Sequence, residues 1–154
     1  MSIPARLIGA MGQWDGRNKL WFEPGATAFE SDTSAEVRQE AAGRMLALRY
    51  TWAHEGNPCE GILLLGDDVQ AGRCDVAWSD SFHNGHRLMP LTGPAAGDGV
   101  PDVRGSYPAP PGPDWGWRIT VEHPATDALV MRMYNVTPDG TEALAVEASY
   151  GRRR

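Results

Sequence analysis

Apolar and polar residues alternate along most of this chain with a period of two, in short runs broken by glycine and proline. Leu46, Leu48, Tyr50 and Trp52 share one side of such a run. Cys74, Val76, Trp78, Asp80 and Phe82 share a second, Trp115, Trp117, Ile119 and Val121 a third, and Leu129, Met131, Met133 and Asn135 a fourth. Successive side chains of a strand point to opposite faces, so each set predicts a strand with one buried face. Read this way, the chain holds about ten strands, near 13–22, 31–41, 44–53, 60–66, 73–83, 86–94, 100–107, 115–123, 127–136 and 141–152. A helical period appears only over 4–11, where Leu7, Ile8 and Met11 fall on one side.

The connections predict how the strands pair. Asn84-Gly85 reads as a two-residue type I′ turn, because both residue types accept positive φ. Residues 67–72 and 137–140 read as compact turns, and 108–114 as a proline-rich loop. Consecutive antiparallel strands without a crossover helix form a meander, and a ten-stranded meander removes its exposed edges by closing. The predicted fold is therefore all-β: a closed up-and-down antiparallel barrel of about ten strands with a short N-terminal helix, one domain over 1–154. A barrel of more than about eight strands has room inside for a small ligand.

Several stretches resemble an uncharacterised bacterial family of lipocalin-like barrels, known only as a domain of unknown function. They are Gly12-Gln13-Trp14-Asp15-Gly16, the run from Trp21 to Gly25, the run from Trp78 to His83, Gly105-Ser106-Tyr107, and the run from Glu147 to Arg152. The Gly-x-Trp of the first strand is also similar to that of the wider calycin superfamily, which includes lipocalins, fatty-acid-binding proteins and nitrobindin-like barrels. There the tryptophan closes one barrel end beneath a basic residue of the last strand. The resemblance implies that role for Trp14 and Arg152, and strand counting agrees. With ten alternating strands, the start of the first and the end of the last meet at one barrel end, where a guanidinium over an indole is a favourable pair. Nitrobindin-like barrels bind haem through a histidine, but the last strand here, 141–152, contains none. Haem could still use His83 or His123, but an axial ligand must point into the pocket, which disfavours it here.

Composition narrows the partners. The net charge is −6, from 14 basic and 20 acidic residues, which disfavours nucleic acid because that partner needs a basic face. No apolar run approaches the roughly 20 residues of a membrane-spanning helix. The two cysteines, Cys59 and Cys74, and a start without a secretory pattern predict reduced thiols and a cytoplasmic protein. No cofactor is called for, there is no nucleophile-elbow, phosphate-loop or dinucleotide motif, and a homodimer is compatible with the chain.

The candidate chemistry lies on a few side chains. A two-residue turn at Asn84-Gly85 would oppose His83 and His86 at a Cα distance of ~5.5 Å. His54 is predicted at the same barrel end, and such a set can bind a divalent metal; exposed rim histidines are the structural alternative. Asp80 shares its face with Val76, Trp78 and Phe82, so it should point inward. It then either acts as an acid or base, or is simply hydrogen-bonded or paired to Arg118 or Arg132. Tyr50, Trp52, Trp78, Tyr107, Trp117, Tyr134 and Asn135 either floor a pocket for a flat apolar molecule or fill the barrel. Three functions follow in order. The first is binding of a small hydrophobic or aromatic molecule. The second is an isomerase- or cyclase-type enzyme using Asp80, and the third a structural or interaction protein with a filled core.

Overall fold

The computed structural model describes residues 4–154. It contains one short helix, α1 (Ala5–Ile8), and ten strands. These are β1 (Gly12–Leu20), β2 (Phe29–Glu40), β3 (Met45–His54), β4 (Asn57–Asp68), β5 (Arg73–Asp80), β6 (Met89–Pro94), β7 (Asp102–Tyr107), β8 (Trp115–Ala125), β9 (Ala128–Val136) and β10 (Glu142–Arg152). Every strand pairs antiparallel with its chain neighbours, and β1 pairs with β10, so the meander closes. The closed ten-stranded barrel read from the alternation is the fold. Its inward rows are those of the sequence pattern: Leu46, Leu48, Tyr50 and Trp52 are buried, as are Leu129, Met131 and Met133.

The boundaries on the two sides of the β5–β6 turn differ from the pattern for one reason. The alternation carried β5 to residue 83 and began β6 at residue 86. The chain instead leaves the sheet after Asp80, whose Oδ1 accepts the backbone N–H groups of Phe82 (2.8 Å) and His83 (3.2 Å). The Asn84 N–H bonds back to the Asp80 carbonyl at 2.9 Å, so residues 81–86 coil as a turn rather than a tight hairpin. The opposed His83/His86 pair therefore does not form.

One barrel end is sealed. Trp14 faces Arg152 across β1 and β10 and is fully buried. Its indole N–H donates to the Ala10 carbonyl at 2.8 Å, and the Arg152 guanidinium lies 4.3 Å above its ring centre. Arg152 also donates to the carbonyls of Gly9, Met11 and Thr126, which ties the end of β10 to the segment after α1 and to the β8–β9 turn. His123 packs edge-on against Trp14, and its Nδ1 contacts the Ala128 carbonyl. Trp14 and Arg152 thus meet at the barrel end where strand counting placed them.

The shortest ladder of the wall lies between β6 and β7, which share the single register pair Thr92↔Arg104. Pro90 has no N–H to donate there, and a Cβ on Gly105 would lie 2.7 Å from the Pro90 carbonyl oxygen. No helix among the described residues is long and apolar enough to cross a membrane.

Candidate functional site

The open end of the barrel gathers the loops after β1, β3, β5, β7 and β9. Aromatic rings run continuously through it. Phe22, Phe29 and Phe82 pack around His54 with ring centres 5.0–5.6 Å from it. Phe82 meets Trp52 edge-on at 5.2 Å. His83 then sits among three indoles, with centres 5.8 Å from Trp52, 5.7 Å from Trp78 and 5.5 Å from Trp117. Trp78 and Trp117 stack on each other at 5.4 Å, almost parallel.

Below this layer Asp80 is 1% exposed, on the inward face that parity assigned it. Its Oδ2 accepts from the Tyr50 hydroxyl (2.6 Å) and the Trp52 indole N–H (3.2 Å). Trp78 donates to the Tyr50 oxygen at 3.0 Å. With the two backbone N–H groups on Oδ1, the carboxylate accepts four hydrogen bonds. Neither arginine considered for it is its partner: Arg118 pairs with Asp102 and Glu142, and Arg132 with Glu147 and Glu122. Burial and the Asp80 charge both hold the Tyr50 phenol well above its ordinary pKa, so it stays a donor. Gly61 gives Tyr50 its place, since a Cβ there would lie 2.3 Å from the phenol ring and hydroxyl.

Two spaces adjoin this network. A small void of about 10 Å³, just at the size of one water, is lined by Asn18, Tyr50, Trp52, Asp80, His83, Met133 and Val146. A larger cavity of about 430 Å³ opens beside Pro90 of β6 and Ser106 and Tyr107 of β7, inside the range of small-molecule sites. Trp78, His83, Trp117 and Tyr107 form its aromatic side, and Met89, Leu88 and Pro108 its apolar rim. Three of its residues carry a buried polar atom without a hydrogen-bond partner: His83 Nε2, Asn84 Oδ1 and Trp117 Nε1. Burial pushes the His83 imidazole below its ordinary pKa against the opposing pull of Asp80, so the ring is neutral at pH 7.

The structure divides the sequence candidates. Trp78, Tyr107 and Trp117 line the larger cavity, while Tyr50 and Trp52 are committed to Asp80 and line the inner void. Asn135 lies behind the cavity wall and accepts from the Tyr107 hydroxyl at 2.5 Å. Tyr134 is a correction: it points outward, with the Arg118 guanidinium 4.7 Å above its ring. Parity excludes it, because its neighbours Met133 and Asn135 belong to the inward row. His83, His86 and His54 do not converge either. His83 turns inward, His86 is exposed, His54 packs in the phenylalanine cluster, and no group of three metal-ligating side chains occurs among the described residues.

Sequence reasoning missed Asn84, Arg87, Leu88, Met89, Pro90, Ser106 and Pro108, which complete the cavity. It also missed Asn18, although that residue carries the same signal as Asp80, a polar side chain in an inward row with Trp14 and Leu20.

Residues 5–152 match a family model described as "Protein of unknown function (DUF1579)". No curated protein matches the chain. Among solved structures, Rv2717c from M. tuberculosis is similar over 99% of both chains, with a TM-score of 0.60 and 15% identity, which is a likeness of fold alone. A de novo designed fluorescence-activating β-barrel is more loosely similar, at TM-score 0.47 and 14% identity over 93% of each chain.

Proposed function

This chain belongs to the DUF1579 family of proteins of unknown function, and from that premise we propose that it is a carrier or sensor that binds a small, flat, aromatic molecule in the cavity beside Trp117. The observation that carries this reading is the set of unpaired buried atoms on His83, Asn84 and Trp117, all residues of one aromatic-walled cavity. A buried donor or acceptor without a partner costs about 1–3 kcal/mol. A ligand that packs on Trp117 and Tyr107 and draws the buried indole N–H round to its carbonyl or hydroxyl recovers that cost. The likeness to lipocalin-type barrels carried by Trp14 and Arg152 supports the same reading.

Asp80 serves here as a positioning residue. Its acceptor sites are filled, and it holds Tyr50, Trp52 and the turn that carries His83. The test is a titration with 2-naphthamide, a neutral bicyclic aromatic with one carbonyl, followed by tryptophan fluorescence. Saturable quenching is expected, weakened about tenfold or more by Trp117→Leu and unchanged by Tyr134→Phe. Absence of saturable quenching, together with native mass spectra showing no retained small molecule after purification from the protein's own host, would overturn the reading.

A further inference from the structure

Resting on that reading, we infer that the cavity selects an aromatic acid, whose ring lies against Trp117 and Tyr107 and whose carboxylate is met by Arg87. The argument starts from the charge inventory of the cavity wall. Arg87 is the one charged residue that lines it, and no carboxylate does. Arg87 is exposed on the turn after β5 and forms no ion pair among the described residues. Arg6, Arg44, Arg49 and Arg152 likewise form no ion pair among the described residues, but none of them lines this cavity, whereas Arg17, Arg73, Arg118, Arg132 and Arg153 have acidic partners within 3.4 Å. A chain of net charge −6 that leaves an arginine without a partner at the edge of an apolar cavity offers a fork-shaped donor that matches a carboxylate.

An aromatic cavity also raises the opposite reading, a cage for a cation. The ring geometry argues against it. One face of Trp117 is stacked on Trp78 at an interplanar angle of 7°, His83 packs against both, and Tyr107 meets Trp117 edge-on at 6.5 Å, so the rings do not turn their faces to a common centre as a cation cage does. The nearest buried carboxylate, Asp80, spends both oxygens on Tyr50, Trp52 and two backbone N–H groups and does not line the cavity. His83 is neutral, so it neither repels a cation nor attracts an anion, and the sign of the selection falls to Arg87. The overall charge repels anions at a distance, so a preference for one reports the local guanidinium rather than the field of the whole molecule.

Three probes of one shape test the inference: 2-naphthoate, 2-naphthamide and 2-naphthylmethylammonium, titrated into the full chain and followed by tryptophan fluorescence. The expected result is that 2-naphthoate binds about tenfold more tightly than 2-naphthamide and that the ammonium binds most weakly. Arg87→Gln should lower naphthoate affinity to that of the amide and leave the amide unchanged. Arg87→Lys should keep part of the advantage, and raising the salt concentration should weaken only the naphthoate. If naphthoate binds no better than the amide, or the ammonium binds best, the inference is wrong while the aromatic-binding reading stands. If none of the three binds, the inference is wrong, and if native mass spectra also show no retained small molecule, so is the aromatic-binding reading.

Discussion

Arg152 shows how much a single side chain can connect. Its guanidinium covers Trp14 and donates to the carbonyls of Gly9, Met11 and Thr126, so it joins β10 to the start of the chain and to the β8–β9 turn. Arg152→Ala should destabilise the barrel by about 2 kcal/mol, from lost stacking and stem packing. Arg154→Ala removes only an exposed pair with Asp127 and should change little. Urea unfolding of the two variants checks the contrast. Asp80 behaves likewise in the interior. Asp80→Asn puts an amide N–H where an acceptor is needed, and a cost of about 2–4 kcal/mol is expected. Tyr50→Phe, which removes one donor to it, should cost about 1–2 kcal/mol. If Asp80→Asn unfolds at the wild-type urea concentration, its four hydrogen bonds contribute no net stability.

His83 gives the fold a pH dependence whose sign is fixed by burial. Its folded-state pKa lies below the unfolded value of roughly 6.5, so the unfolded chain binds the extra proton first. Stability is therefore full above that unfolded pKa and falls as pH drops below it, until the folded-state ring also protonates. His83→Gln should flatten this part of the stability curve between about pH 7 and 5. An unchanged curve would mean that other groups set the slope. The thiols carry a related expectation. Burial raises both, Cys74 to about 12 with help from Asp67, so neither should react with a thiol reagent in the native protein and both should after unfolding.

Among the elements, the β6–β7 seam stands apart. Its neighbours share ladders of six or more register pairs, whereas β6 and β7 share one. Hydrogen exchange should find the amides of β7 that face β6 opening well before those between β9 and β10, where the ladder is long. Occupation of the cavity beside the seam by 2-naphthamide should slow them. Equal protection across the two seams would show that the short ladder is no weak point. The turn after β5 is the other element that departs from the local pattern. The alternation runs through Phe82, and Asn84-Gly85 is a strong hairpin signal, yet the Asp80 carboxylate captures the next two backbone N–H groups and winds the chain instead. An aspartate followed by Ser81 and Asn84 is itself a capping signal, so this turn was legible beneath the hairpin pattern.

At the scale of the whole molecule, the chain pattern determined the architecture. Ten period-two runs with turn residues between them, too short for crossovers, leave a closed meander as the economical way to bury ten apolar faces and pair every edge. Parity alone placed Asp80 inside, and the count of strands placed Trp14 beside Arg152. Only the tertiary structure decided what the inside contains. Tyr50, Trp52, Trp78 and Trp117 were each assigned inward by period, but period says nothing of distance along the barrel axis or around its wall. The four rings do not line one chamber but divide between a polar knot around Asp80 and a cavity at the rim. His83, Asn84 and Arg87 join that cavity because one carboxylate redirected a turn, and the rings this turn then meets, Trp52 and Trp117, come from strands far from it in sequence, which no local spacing encodes.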